Sequence, residues 1–244
     1  MKFKIANKKD FLANVLGPVA SLSDKCVINV EPSKLSCLVS ASDATLVLYS
    51  ETQIASELTV PMKLNIPDVR RLMRGLECID SEELELSIET NHIKYSSPGY
   101  KFKFHLLDDN VIKSPAINMK KVDSLVFNTT FKVNEARLTS LFNGASFATE
   151  TNKLYIYTEG SIVYGELGDK ARANVDNFQC AIIDAFTGDQ ISKPIPINFE
   201  TFRLIAIGKC PDIEFAINSQ LGILKITLNR GGTKLIYIVS ALIS

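Results

Sequence analysis

Apolar residues recur along this chain in two rhythms. Spacings of three and four mark four helical segments, carried by Phe11, Leu12, Val15 and Leu16; by Val69, Leu72, Met73 and Leu76; by Leu138, Leu141, Phe142 and Ala145; and by Phe199, Phe202 and Ile205. Between them lie alternating or continuous apolar runs bounded by turn residues, which predict short strands. KFKI precedes the first helix, and CVINV, LSCLVS and DATLVLYS follow it. LTVPMKLN precedes the second, with LELSIE, IKYSS and YKFKFHLL after it. SLVFNTTFKV leads into the third, then KLYIYTE, SIVYGEL and NFQCAIID; KPIPIN leads into the fourth, then IEFAIN, GILKITL and KLIYIVSAL. Gly17 and Pro18 are expected to stop or kink the first helix, and Pro67 suits the first turn of the second.

With Leu12, Leu72, Leu141 and Ile205 as markers, successive helices stand 60, 69 and 64 residues apart, the spacing of a repeated supersecondary unit. Residues 107–124 (LDDNVIKSPAINMKKVDS) break the rhythm, being polar, carrying a proline and having no period. The expected organisation is therefore one domain over 1–107, a connector over 108–124 and a second domain over 125–244. Glu159-Gly160 and Arg230-Gly231-Gly232 fall between paired runs where hairpins need positive φ. The fold class that follows is α+β, mostly antiparallel, with isolated helices.

Composition narrows the function classes. Hydrophobic residues make up 46% of the 244 and charged residues 22%, and no apolar stretch approaches the ~20 residues of a spanning helix, so no membrane role is expected. The opening MKFKIANKKDFL puts lysines where a secretory leader needs apolar residues, so the expected location is cytoplasmic, not secreted. Five scattered cysteines without a CxxC pair predict reduced thiols rather than a disulfide framework or zinc site. His92 and His105 lie in predicted strands without metal-ligand spacing, and RGGTK reads as a hairpin rather than a phosphate loop. GxSxG and GxGxxG are absent, and Asp108 with Asp109 reads as solvated acid in a polar stretch. No catalytic residue, metal or cofactor is expected, and hence no enzyme.

Charge is balanced at 27 basic and 27 acidic residues, so any affinity for nucleic acid must come from where the charges sit. At about 100° per residue from Val69, the apolar stripe of the second helix lies between about −60° and +40°, and Arg70, Arg71 and Arg74 fall at about 100°, 200° and 140°. Three arginines thus own the face opposite the core, which suits phosphate oxygens, although a solvated helix face would look the same. Across the segments 7–20, 66–78, 134–147 and 198–209, eight bases (Lys8, Lys9, Arg70, Arg71, Arg74, Arg137, Arg203, Lys209) outnumber five acids (Asp10, Asp68, Glu77, Glu135, Glu200), leaving the remainder of the chain at −3. The third helix is expected to turn Thr139, Ser140, Asn143 and Gly144 outward, and the fourth is poorly amphipathic.

Taken together, a strand, helix and sheet unit repeated four times around a central connector resembles the ring-shaped DNA sliding clamps, that is, proliferating cell nuclear antigen and the shorter phage-encoded clamps. FLANVLGPVASLSDKCVINV with LSCLVSASDATLVLYS is similar to the family's opening helix and strand pair, YGELGD to a segment of its second domain, and KLIYIVSAL to its last core strand. The resemblance implies a clamp fold of two similar domains, with antiparallel sheets outside and four helices on the inner face. It implies a homotrimer around duplex DNA, read without sequence preference, which tethers the DNA polymerase and is loaded by a separate ATP-driven clamp loader. It places Arg71 and Arg74 at the family's DNA-facing basic positions, with Arg70 as an extra candidate. Ser140 and Asn143, and Ala13 and Asn14, stand where the family carries bases on other helices. It also implies a shallow partner-peptide pocket at Val39, Ser40, Val111, Ile112, Ile223, Ile238 and Ser240, positions that a buried core could equally claim. Two other readings stay open: a monomeric or hetero-oligomeric clamp-like processivity subunit, and a β-rich scaffold that binds no DNA.

Overall fold

The computed structural model describes residues 1–172, 174–205, 210 and 212–242, which fall into two compact units. The first comprises Met1–Ser42, Leu48–Ala116 and Arg230–Leu235. Its elements are β1 (Lys2–Ile5), a helical stretch made of α1 (Lys8–Asp10), a π-turn (Phe11–Leu16) and α2 (Gly17–Leu22), then β2 (Cys26–Val30), β3 (Lys34–Ser40), most of β4 (Leu46–Gln53), β5 (Ala55–Ser56), β6 (Met62–Ile66), α3 (Val69–Glu77), β7 (Leu84–Glu89), β8 (His92–Ser97) and β9 (Tyr100–His105). One antiparallel sheet has the order β5-β1-β7-β8-β9, and a second run has the order β4-β3-β2-β6. Burial alternates along β1 and β7, as it must where one face of a sheet packs and the other meets water.

The first helix runs on through Pro18 to Leu22 instead of stopping there. The Gly17 N–H bonds to the Leu12 carbonyl, five residues back, so the turn ahead of Pro18 is widened. A widened turn absorbs both the missing N–H and the bulk of the proline ring. Pro67 lies two residues before α3 rather than in its first turn: Asp68 is the N-cap, its carboxylate accepting from the Arg71 N–H at 2.8 Å.

The second unit comprises Asp43–Val47, Ile117–Asn229 and Ile236–Ser244. It holds α4 (Met119–Asp123), β10 (Thr129–Val133), α5 (Glu135–Gly144), β11 (Lys153–Glu159), β12 (Ile162–Leu167), β13 (Phe178–Ile183), β14 (Thr187–Gly188), β15 (Ile195–Asn198), α6 (Phe199–Arg203), β16 (Ile213–Asn218), β17 (Ile223–Arg230) and β18 (Thr233–Ser240), the last two ending or beginning in the first unit. A four-stranded antiparallel sheet has the order β13-β12-β11-β15, and a further run the order β14-β10-β16-β17-β18. The stretch that breaks the hydrophobic rhythm contains a helical turn of its own, α4, capped by the Asn118 side chain accepting from the Lys120 N–H. The two predicted hairpin turns carry positive φ at Gly160 (59°), Gly231 (50°) and Gly232 (82°).

Each unit seats an aromatic ring of an edge strand against a helix glycine. A Cβ on Gly75 of α3 would come within 2.3 Å of the Phe102 ring on β9, and a Cβ on Gly144 of α5 within 2.0 Å of the Phe178 ring on β13. Gly144 is therefore buried, not turned outward with Thr139, Ser140 and Asn143, because only a residue without a side chain leaves room for that ring. Both β9 and β13 are terminal strands of their sheets, each with one row of backbone groups that no other strand among the described residues pairs.

Candidate nucleic-acid interface and partner groove

Helix α3 buries Val69, Leu72 and Leu76 and exposes Arg70, Arg71 and Arg74, the division that the 3.6-residue period dictates. The three arginines differ in what holds them. Arg70 ion-pairs with Asp24 and also donates to the Ala20 carbonyl at 2.7 Å, so it fastens α3 to the carboxyl end of α2, where a helix dipole favours a cation. The Arg71 guanidinium lies 6.0 Å from the centroid of the Phe104 ring. Among the described residues, neither Arg71 nor Arg74 has an acidic side chain within ion-pair distance. These two keep an uncompensated charge on the exposed face, and Arg70 does not.

The other basic candidates are held more firmly. Lys8 donates to the Ile79 carbonyl, and Lys9 lies 3.8 Å from Glu82 with both side chains in water. Arg137 pairs with Asp184 at 3.0 Å, and Arg203 with Glu200 at 3.1 Å on the same helix. Lys209 lies outside the described residues. Exposed pairs of this kind contribute little to stability, yet each partner acid offsets a charge that a phosphate would otherwise meet. On α5, Thr139, Ser140 and Asn143 are exposed and uncharged. Among the described residues, no group of three or more His, Cys, Asp or Glu side chains is arranged to hold a metal, and no helix is long and apolar enough to cross a membrane.

If Arg70 fastens one helix to another, Arg70→Ala should lower the melting temperature by about 2–4 °C, as the loss of ~1 kcal/mol does in a chain of this size, without changing the salt dependence of DNA binding. Thermal melts beside a DNA titration across salt concentrations separate the two effects; a changed salt slope with an unchanged melt would place Arg70 with Arg71 and Arg74.

The predicted pocket residues divide between the units. In the first, Val39 is buried and Ser40 half-buried, Val111 is 58% exposed, and Ile112 borders a groove of about 930 Å³ that also meets Lys63, Asp108, Asp109 and Lys113. There Asp109 accepts from the Asn65 side-chain amide at 3.0 Å, which turns this acid towards the protein. In the second unit, Ile238 is buried, Ile223 half-buried and Ser240 exposed. Beside them is a separate groove of about 460 Å³, to which Leu221, Gly222, Ala241 and Leu242 contribute, the immediate neighbours of Ile223 and Ser240. Its walls bring in Lys153, Tyr155, Lys170 and Lys193, none of which stands out in the sequence, because strands β11 and β15 and the turn after β12 meet only in the fold.

One wall of that groove is pinned from behind. Lys170 pairs with Glu166 at 2.8 Å and lies 5.0 and 4.9 Å from the centroids of Tyr155 and Tyr157, while Lys153 pairs with Asp169 at 2.8 Å. The Lys153 hydrogen bond, helped by the Ala171 N–H, holds the Asp169 carboxyl below its ordinary range. A carboxyl depressed in the folded chain keeps its stabilising contact above its unfolded pKa and loses it only as pH falls through the folded value, so this pin is fully formed at neutral pH. Burial, then the charge of Glu166, pushes the Tyr157 hydroxyl up to about 12.

No sequence profile of a protein family matches the chain, and no curated protein does so. Solved structures do. A structure described as the C-terminal region of FEN-1 bound to A. fulgidus PCNA matches at a TM-score of 0.78 and 13% identity, over 100% of this chain and 99% of that one. Proliferating cellular nuclear antigen from Entamoeba histolytica matches at 0.76 and 12%, over 99% and 98%. The PCNA2–PCNA3 complex from Sulfolobus tokodaii matches at 0.72 and 13%, over 99% of both chains. From end to end, and at an identity too low to carry more than architecture, this chain has the fold of the PCNA sliding clamps.

Proposed function

We propose that the protein is a sliding clamp, a processivity factor that encircles duplex DNA and tethers a DNA polymerase and other DNA-acting proteins to it. The observation that carries this reading is the end-to-end likeness to PCNA chains, covering 98% or more of both partners in the three structures named above. The work is topological, not chemical: a tethered enzyme stays near its template at high effective concentration without making new base contacts. Sliding asks for few, sequence-independent phosphate contacts, and two uncompensated arginines on α3 meet that need better than a dense basic patch. The net charge of zero is compatible with such a role.

Clamp function carries further expectations. The clamp resemblance implies a ring of six such domains, and two per chain, 1–107 and 125–244 joined by 108–124, make a third of it, so the assembly is a homotrimer. Two of the terminal strands, β9 and β13, are unlike edges that suit it: an edge of one kind that finds the other kind on the next copy gives a head-to-tail contact, which closes into a ring when the rotation fits. Opening the ring needs an outside source of energy, which assigns loading to an ATP-driven clamp loader.

Native mass by light scattering over a dilution series is the first test, with retention on DNA as the second. The expected mass is near three times 27.0 kDa, with the particle held on nicked circular DNA after loading and released when the circle is cut. A monomer at every concentration would refute the homotrimer and favour a monomeric or hetero-oligomeric processivity subunit. Failure to associate with either form of DNA at any salt concentration would leave the scaffold reading.

A further inference from the structure

The groove of the second unit has a chemical bias beyond its shape, and the inference drawn from it rests on the clamp reading, which implies a partner-peptide pocket at Ile223 and Ser240, the chain neighbours of the groove's Gly222 and Ala241. Its apolar side presents Leu221, 59% exposed, with Pro196 and Leu242. The backbone beneath is already fixed: the Leu242 N–H bonds to the Pro196 carbonyl at 2.7 Å and the Ala241 N–H to the Gly222 carbonyl at 2.7 Å. A peptide would therefore meet a preformed floor and spare the protein the cost of ordering it. The charged residues at the rim are Lys153, Lys170 and Lys193, and among the described residues no aspartate or glutamate lines the groove. Lys153 and Lys170 are each held by an acid behind the wall, which leaves their ammonium groups oriented and part of their charge offset. Lys193 is exposed and, among the described residues, has no acidic side chain within ion-pair distance.

We infer that this groove selects peptides in which a short apolar anchor is flanked by acidic residues, with Lys193 reading the flanking carboxylate and Leu221 the anchor. Charge complementarity at a partly exposed rim steers and discriminates rather than supplying the bulk of the affinity. The expected preference is accordingly modest, up to about five-fold for each carboxylate that finds its lysine.

Fluorescence polarisation with three labelled twelve-residue peptides tests this. All share a central Leu-Ser-Phe-Phe and carry two Asp, two Asn or two Lys on each side. The expected order of affinity is Asp over Asn over Lys, with the spread narrowing at 0.5 M salt, and with Lys193→Glu removing or reversing the preference. Equal affinity for the three peptides at low salt would overturn the inference while leaving the groove as a peptide site. Failure of all three to bind would overturn both, without touching the native mass or DNA retention that test the clamp itself. Should Lys193→Glu alter the thermal melt, the salt dependence of the unaltered protein towards the three peptides decides the question alone.

Discussion

Replacing Arg71 and Arg74 together by alanine is expected to reduce the slope of log affinity against log salt for duplex DNA by about two and to impair retention on circular DNA, while native mass stays unchanged. The argument rests on what each arginine touches. Arg70 spends its hydrogen bonds on Asp24 and the Ala20 carbonyl, whereas Arg71 and Arg74 keep charges that, among the described residues, no nearby acid offsets. Each phosphate contact releases about one counterion, so two lost contacts appear as two units of slope whatever the sequence of the DNA. Arg71 has a second neighbour, the Phe104 ring, so the single Arg74→Ala variant is the cleaner measure of one contact. An unchanged slope in the double variant would remove α3 from the DNA interface. Loss of assembly instead would show that these side chains serve subunit contact.

Gly144→Val carries the second large effect, a loss of about 1–3 kcal/mol and therefore a melting temperature lower by roughly 2–12 °C. A Cβ at this position falls 2.0 Å from the Phe178 ring, too close for both to stay, so the ring or the strand that carries it must shift. Phe178 opens β13, so a displaced ring shifts the free edge of that sheet and should weaken self-association as well. The double variant Gly144→Val with Phe178→Ala provides the check, since shortening the ring makes room for the new side chain. Recovery of the melt and of native mass would tie both effects to the one contact. A Gly144→Val protein with an unchanged melt would mean that the ring has another place to go.

Much of the fold is legible from residue pattern because the strands are alternating or continuous apolar runs bounded by turn residues. CVINV, LELSIE and KLYIYTE coincide residue for residue with β2, β7 and β11. What escaped depends on distant partners. The two-residue strands β5 and β14 exist only because β1 and β10 lie beside them, and α4 buries a single residue, Val122, which gives periodicity nothing to register. The helical wheel separated the arginines of α3 from its core, but it could not separate them from one another. The partner that distinguishes Arg70 is Asp24, 46 residues earlier in the chain. The wheel likewise put Gly144 outside because it knew nothing of Phe178. The lysines of the groove lie at 153, 170 and 193, too far apart for any motif to collect them.

The unlikeness of β9 and β13, two of the terminal strands, has a consequence for direction. β9 sets Lys101, Lys103 and His105 towards water, while β13, reading FQCAII, carries no charge at all. Two β9 edges brought together would repel, so copies related by a two-fold axis are disfavoured at that edge. In the proposed ring, copies joined edge to unlike edge follow one another head to tail about a single axis, and every one of them then turns its Leu221 groove the same way along that axis. An assembly closed in this way would be polar, and partners docked in the groove would all point in one direction along its axis.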